Sequence, residues 1–163
     1  MKAFLFGIAA FIFSLFVWLF CHDYNLNHMY YMQIRTATEE ASVAATMFID
    51  PQEESEGRIV FNQVEGNKAI KAIIKSMLKT NDGLNPVEGS YWQDQISYNV
   101  YFYDDSNTTY PYSFTDPETG FKYKVIRPSV IVTINAGKAR YTVKGVIDET
   151  QNIRSAAHEI VGY

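Results

Sequence analysis

The groups that could do chemistry in this chain are three histidines, one cysteine and a few clustered carboxylates, and their spacing limits what they can do. His22 and His28 are six residues apart in a helical pattern, so they face apart, whereas two imidazoles sharing a metal need a spacing of four. His158-Glu159 has no second histidine at helical spacing. Cys21 closes an apolar run, and neither a Gly-x-Ser-x-Gly elbow nor a glycine-rich phosphate loop occurs. Glu53, Glu54 and Glu56 read as a solvated linker rather than a catalytic carboxylate pair. Asp104-Asp105-Ser106-Asn107-Thr108 follows an apolar strand and has the carboxylate and hydroxyl spacing of a cation site. Sites of that kind need a doubly wound parallel sheet and later Thr and Asp ligands, and the remaining 55 or so residues are antiparallel in pattern. An Asx-type turn is the expected structure, whose oxygens could at most hold Ca²⁺ weakly. The spacing is not that of an EF-hand. No catalytic, cofactor or metal residue is assigned, and the chain is not expected to be an enzyme.

The elements that carry these groups begin with a membrane-length apolar run. Ala3 to Cys21 is nineteen residues without a charge, or about 28 Å of helix. It ends in Trp18-Leu19-Phe20-Cys21-His22-Asp23, bulky where a signal peptidase needs small side chains, so an uncleaved anchor is expected. Lys2 lies on one flank, and the other has no Lys or Arg until Arg35. That asymmetry places the N-terminus in the cytoplasm and residues 22 onward outside, on a single-pass protein. The helical period then resumes without a breaker: Tyr30, Ile34, Ala37, Ala41, Ala44 and Phe48 recur at alternating spacings of four and three. One helix of nearly fifty residues is expected, ending at Asp50-Pro51. The alanine seam has two readings. It packs on the domain's own second helix or sheet, or it lets helices of neighbouring subunits approach closely.

The rest is large enough for one domain with a real core. Eighteen acidic residues against fourteen basic ones, with no basic run, make nucleic acid an unsuitable partner. A single cysteine rules out an internal disulfide framework. Residues 52–57 read as an acidic linker, and a second helix is expected over 58–79 with Ile59, Ala69, Ile70, Ile73, Ile74, Met77 and Leu78 as its apolar face. Lys68, Lys71, Lys75 and Lys79 share the other face, and Gly66 marks a kink or a close helix contact. From Gln95 the period becomes two. Ile96, Tyr98, Val100 and Phe102 point one way and Ser97, Asn99, Tyr101 and Tyr103 the other. Strands are expected near 110–114, 121–127, 129–136, 140–146 and 153–161, with a tight turn at Asp116-Pro117-Glu118-Thr119-Gly120. The fold class is α+β: a long N-terminal helix, transmembrane then amphipathic, a second helix, and an antiparallel β-sheet meander. The division expected is an anchor over 1–22, an amphipathic stalk over 23–50 and an extracytoplasmic domain over 51–163.

Tyr31-Met32-Gln33-Ile34-Arg35-Thr36-Ala37-Thr38-Glu39-Glu40-Ala41-Ser42-Val43-Ala44-Ala45 resembles the alanine-rich segment that follows the anchor in minor pilins of tight-adherence (Tad) pili, the TadE/TadG-like proteins. Gly57-Arg58-Ile59-Val60-Phe61-Asn62, Pro128-Ser129-Val130-Ile131-Val132 and Ile153-Arg154-Ser155-Ala156-Ala157-His158-Glu159 are similar to segments of Gram-positive members. The resemblance implies a pilin-like protein of the bacterial cell membrane that assists assembly of an adhesion or secretion filament. Its implied partners are membrane lipid, other pilin-like or platform proteins, and further copies of itself. Prepilin peptidase sites pair a glycine with a glutamate five residues on, but the fifth residue after Gly7 is Ile12. A permanently anchored accessory subunit is therefore the expected role. The alternative is an anchored extracytoplasmic domain that binds a ligand or a cell-wall component, or acts as a sensor.

Overall fold

A computed structural model of the chain describes residues 2–143 and 152–160. Helix α1 runs unbroken over Lys2–Thr46. Its first half, as far as Phe20, lies outside the folded body, with Phe4, Phe11, Phe13 and Trp18 all more than half exposed. Its second half is a core element, packed against helix α3 (Gln63–Met77) and against two strands of the sheet. The part of α1 beyond residue 22 is thus no free-standing stalk but belongs to the domain.

The helix stops four residues before the expected breaker. Beyond Thr46 the backbone turns to other partners: Phe48 O accepts from Asn62 N and Val60 O accepts from Asp50 N, both at 2.8 Å. Pro51 then opens a short helix, α2 (Pro51–Ser55), within the stretch expected to be a linker. Proline is well placed there because the first helical N–H has no partner to lose. Asp50 caps α2, its Oδ1 accepting from Gln52 N at 2.9 Å. Helix α3 starts five residues later than its apolar pattern does, because residues 59–61 are held extended. Ile59 N donates to Asp105 Oδ2 at 2.8 Å and Phe61 N to Asp104 Oδ2 at 3.1 Å. Asn62 caps α3.

Five strands follow: β1 (Ser97–Tyr103), β2 (Tyr112–Thr115), β3 (Lys122–Val125), β4 (Ser129–Asn135) and β5 (Ile153–Glu159). The α+β class holds and every pairing is antiparallel, but the order is not a simple succession. The central strand β4 pairs with β1 and β5, while β2 and β3 form a separate hairpin. Strand β4 is buried along nearly its whole length because it separates two cores. Val130, Val132 and Ile134 face α1 and α3, whereas Ile131 packs with Phe114 and Val125 of the hairpin. The molecule is therefore layered: helices, sheet, hairpin. The strand expected at 140–146 is not formed by residues 140–143, and 144–146 lie outside the described residues, as does Val161 of the last strand.

Candidate functional site

The expected seam is mostly internal. Tyr30, Ile34, Ala37 and Ala41 are at most 1 % exposed, covered by the chain's own α3, sheet and, at Tyr30, the rings of Tyr91, Trp92 and Tyr141; Ala44 is half-buried and Phe48 is 39 % exposed. At the first four positions the structure shows packing within the domain, and no surface is left there for a second chain. The small side chains allow a close crossing, and Gly66 of α3 tightens it further. A Cβ at Gly66 would lie 3.0 Å from the Phe102 ring and 3.4 Å from Ala45 O. Gly66 therefore marks a close contact and not a kink, since α3 continues through it.

Towards the anchor the same face of α1 turns polar and holds a strap, residues 140–143. Tyr30 OH donates to Arg140 O at 3.1 Å, and Tyr141 OH donates to Asn27 Oδ1 at 2.7 Å. The buried Asp23 carboxylate accepts from Thr142 N at 2.9 Å and Val143 N at 2.7 Å. Burial pushes the Asp23 carboxyl up, but the hydrogen bonds from Thr142 and Val143, with His22 nearby, outweigh it and hold the group below the usual carboxylate value. Tyr30, desolvated and ringed by Tyr91, Trp92 and Tyr141, is pushed up to about 12, so it stays a hydrogen-bond donor. Sequence reasoning missed this role for Asp23 and Asn27. The signal was available, because 23, 27, 30 and 34 continue the alternating spacing of the seam backwards.

The opposite face of the anchor carries a second regularity. Ala3, Gly7, Ala10, Ser14, Val17 and Cys21 recur at spacings of four and three, among neighbours that are almost all Phe, Leu, Ile or Trp. Cys21 and Tyr30 are nine residues apart, roughly two and a half turns at about 100° per residue, so the small face and the domain-bearing face are opposed. A Cβ at Gly7 would meet nothing within 4 Å, and Ser14 Oγ donates to Ala10 O at 2.9 Å rather than standing unpaired in an apolar setting.

The remaining polar groups do structural work. Asp104 Oδ1 accepts from Ser106 N and Ser106 Oγ, at 3.0 and 2.6 Å, which is the expected Asx turn, while its other oxygen clamps residue 61. Asp116 Oδ1 accepts from Glu118 N and Thr119 N, and its Oδ2 from Thr133 Oγ1 at 2.7 Å. Ser155 Oγ lies 2.8 Å from Thr133 Oγ1 and 2.7 Å from Thr119 Oγ1. These hydroxyls bond to one another and to a fixed carboxylate, which staples the hairpin to β4 and β5. Of the lysine face of α3, Lys68 pairs with Glu65, Lys75 pairs with Asp82, and Lys79 lies 5.4 Å from the Tyr91 ring centre. His22 stacks on Trp18, His28 is exposed further along α1, and His158 lies on β5 opposite Val130. Among the described residues no three His, Cys, Asp or Glu side chains are grouped as metal ligands. The arrangement is one of packing surfaces on a rod. No family model, curated protein or solved structure matches the chain.

Proposed function

We propose that this chain is a single-pass, membrane-anchored, pilin-like accessory subunit of a bacterial Tad-type pilus or related secretion assembly, acting through helix packing and protein–protein contacts. The observation that carries the reading is the unbroken α1: an exposed apolar half long enough to cross a bilayer, continuous with a half that forms the domain's core. A rigid joint of this kind transmits the position of the anchor directly to the domain. Lys2 supports a cytoplasmic N-terminus and an extracytoplasmic domain. Since the Ala37–Ala41 face is taken up internally, helix–helix assembly falls to the small face of the anchor. Close backbone approach between helices in lipid uses such small residues. Among the described residues the domain lies on the opposed side, which leaves that face of the anchor open to a partner helix.

Cysteine crosslinking in membranes tests this, starting from a Cys21→Ser background. Ala10→Cys and Ser14→Cys should give oxidised dimers, or adducts with a neighbouring pilin-like protein, and Ile12→Cys on the domain-bearing side should not. Equal crosslinking at all three positions, or none at any, would overturn the assembly role. A second reading, recognition of an anionic wall polymer, draws on one observation. Lys68, Lys71 and Lys75 border a groove of about 380 Å³ floored by Ala72 and Leu84. Two of those lysines are already paired within the chain, which makes this the weaker candidate.

A further inference from the structure

We infer that residues 142–143 of the strap are seated in the lipid headgroup layer, so that the domain touches the bilayer at a second point beside its helix. The inference rests on the anchor reading of Ala3–Cys21. A bilayer's hydrocarbon is about 30 Å thick and its full thickness about 40–45 Å, leaving each headgroup layer roughly 5–8 Å deep. At about 1.5 Å per residue, Asp23 stands only some 3 Å above Cys21 and Asn27 some 9 Å above it. Thr142 N and Val143 N bond directly to the Asp23 carboxylate, so they share its depth. Tyr141, bonded to Asn27, sits at the upper boundary of the layer. A helix tilt of about 20° displaces a segment packed some 8–10 Å from the axis by only about 3 Å, which keeps residues 142–143 within the layer.

The surroundings suit that layer. Trp18 and Tyr24 are each 64 % exposed and combine an apolar ring with a polar edge, as interfacial residues do. A groove of about 360 Å³ between Phe20, Cys21, Tyr24 and Asn25 lies at the same height on α1, with Phe20 at its lower end and the Asn25 amide at its upper end. Asp23 thereby acquires a purpose beyond packing. It fixes the domain to the helix where the helix leaves the membrane, which prevents the domain from tilting about its anchor.

Spin labels on the full chain in lipid nanodiscs, in a Cys21→Ala background, test the depth. One label replaces Thr142, one replaces Ile12 in the anchor, and one replaces Lys71, which stands roughly 27 Å above Cys21, since Gln33 Nε2 donates to Met77 O and Lys71 lies six residues further up α3. Nickel carried on chelating lipid headgroups should relax the Thr142 label strongly and the Lys71 label little. Only the Ile12 label should respond fully to oxygen and not to soluble nickel. Thr142 is exposed, and although the label removes its hydroxyl from beside Asp23, the backbone N–H bonds of Thr142 and Val143 that hold the strap remain. Asp23→Asn, which weakens the strap, should lower the Thr142 response. A Thr142 label indistinguishable from Lys71, with Ile12 still buried in lipid, would overturn the inference alone. A water-accessible Ile12 label would instead remove the anchor reading beneath it.

Discussion

Asp116 is a buried residue whose ionisation bears on the fold. Burial raises its carboxyl, but the Thr133 hydroxyl and the N–H groups of Thr119 and Glu118 together hold it below the usual carboxylate range. A folded-state value below the unfolded one of about 3.9 means the carboxylate stabilises the fold at neutral pH and down to about pH 4. That contribution is lost as pH falls further, through the folded value. Asp116→Asn keeps the shape but puts a donor where Thr133 or the turn amides need an acceptor. It should cost about 1–3 kcal/mol at pH 7 and flatten the loss of stability in acid, as read from urea unfolding at pH 7 and pH 3.5. The turn itself was legible, since Pro117 and Gly120 mark it and Gly120 adopts a φ of +68°. The partner Thr133 was not, because nothing local to Asp116 specifies a strand seventeen residues further on. The same distinction applies to Asp104. Its own Asx turn could be read from the sequence, and its grip on Phe61 could not.

The elements divide along similar lines. The continuity of α1 followed from the absence of a breaker, and the two faces of β1 from strict alternation: Tyr98, Val100 and Phe102 join the helical core while Tyr101 and Tyr103 join the hairpin core. Element ends were misplaced where non-local hydrogen bonds decide them, as at Phe48–Asn62 and at residues 59–61. Strand order was missed for the same reason, since the pairing of β1 with β4 spans the whole hairpin. The crossing of α1 with α3 gives two predictions. Ala41→Leu adds three carbons to a site with no exposed surface and should destabilise the domain by about 1–3 kcal/mol. Gly66→Val should cost a similar amount, because its branched carbons must displace the Phe102 ring. Gly66→Ala should be close to neutral, the gain in helix propensity of about 1 kcal/mol offsetting the strain of a 3.0 Å contact. Thermal melts in one detergent would rank the three. Ala10→Leu in the anchor should leave the melt unchanged and abolish only crosslinking.

At the scale of the molecule the two halves of α1 have separable roles, and truncation should separate them. The apolar half contributes nothing to the core: every residue from Phe4 to Trp18 is exposed. Deleting residues 2–21 should therefore give a monodisperse domain with an unchanged melting temperature that no longer sediments with membranes. Deleting residues 2–30 removes nine more and takes away Asp23, Asn27 and Tyr30 together. Loss of a buried aromatic alone costs about 3–5 kcal/mol. The backbone N–H groups of Thr142 and Val143 lose their acceptor at the same time, at about 1–3 kcal/mol each where they stay buried. Against a total stability of about 5–15 kcal/mol, that loss should leave a large unfolded fraction at room temperature, visible as a lost near-ultraviolet signal from Trp92 and its tyrosine neighbours. If the longer deletion melts like the shorter one, the strap is not held by α1 in solution. The attitude of the domain to the membrane would then rest on the continuity of α1 into the Ile34–Ala41 core alone, with no share from Asp23 and Asn27.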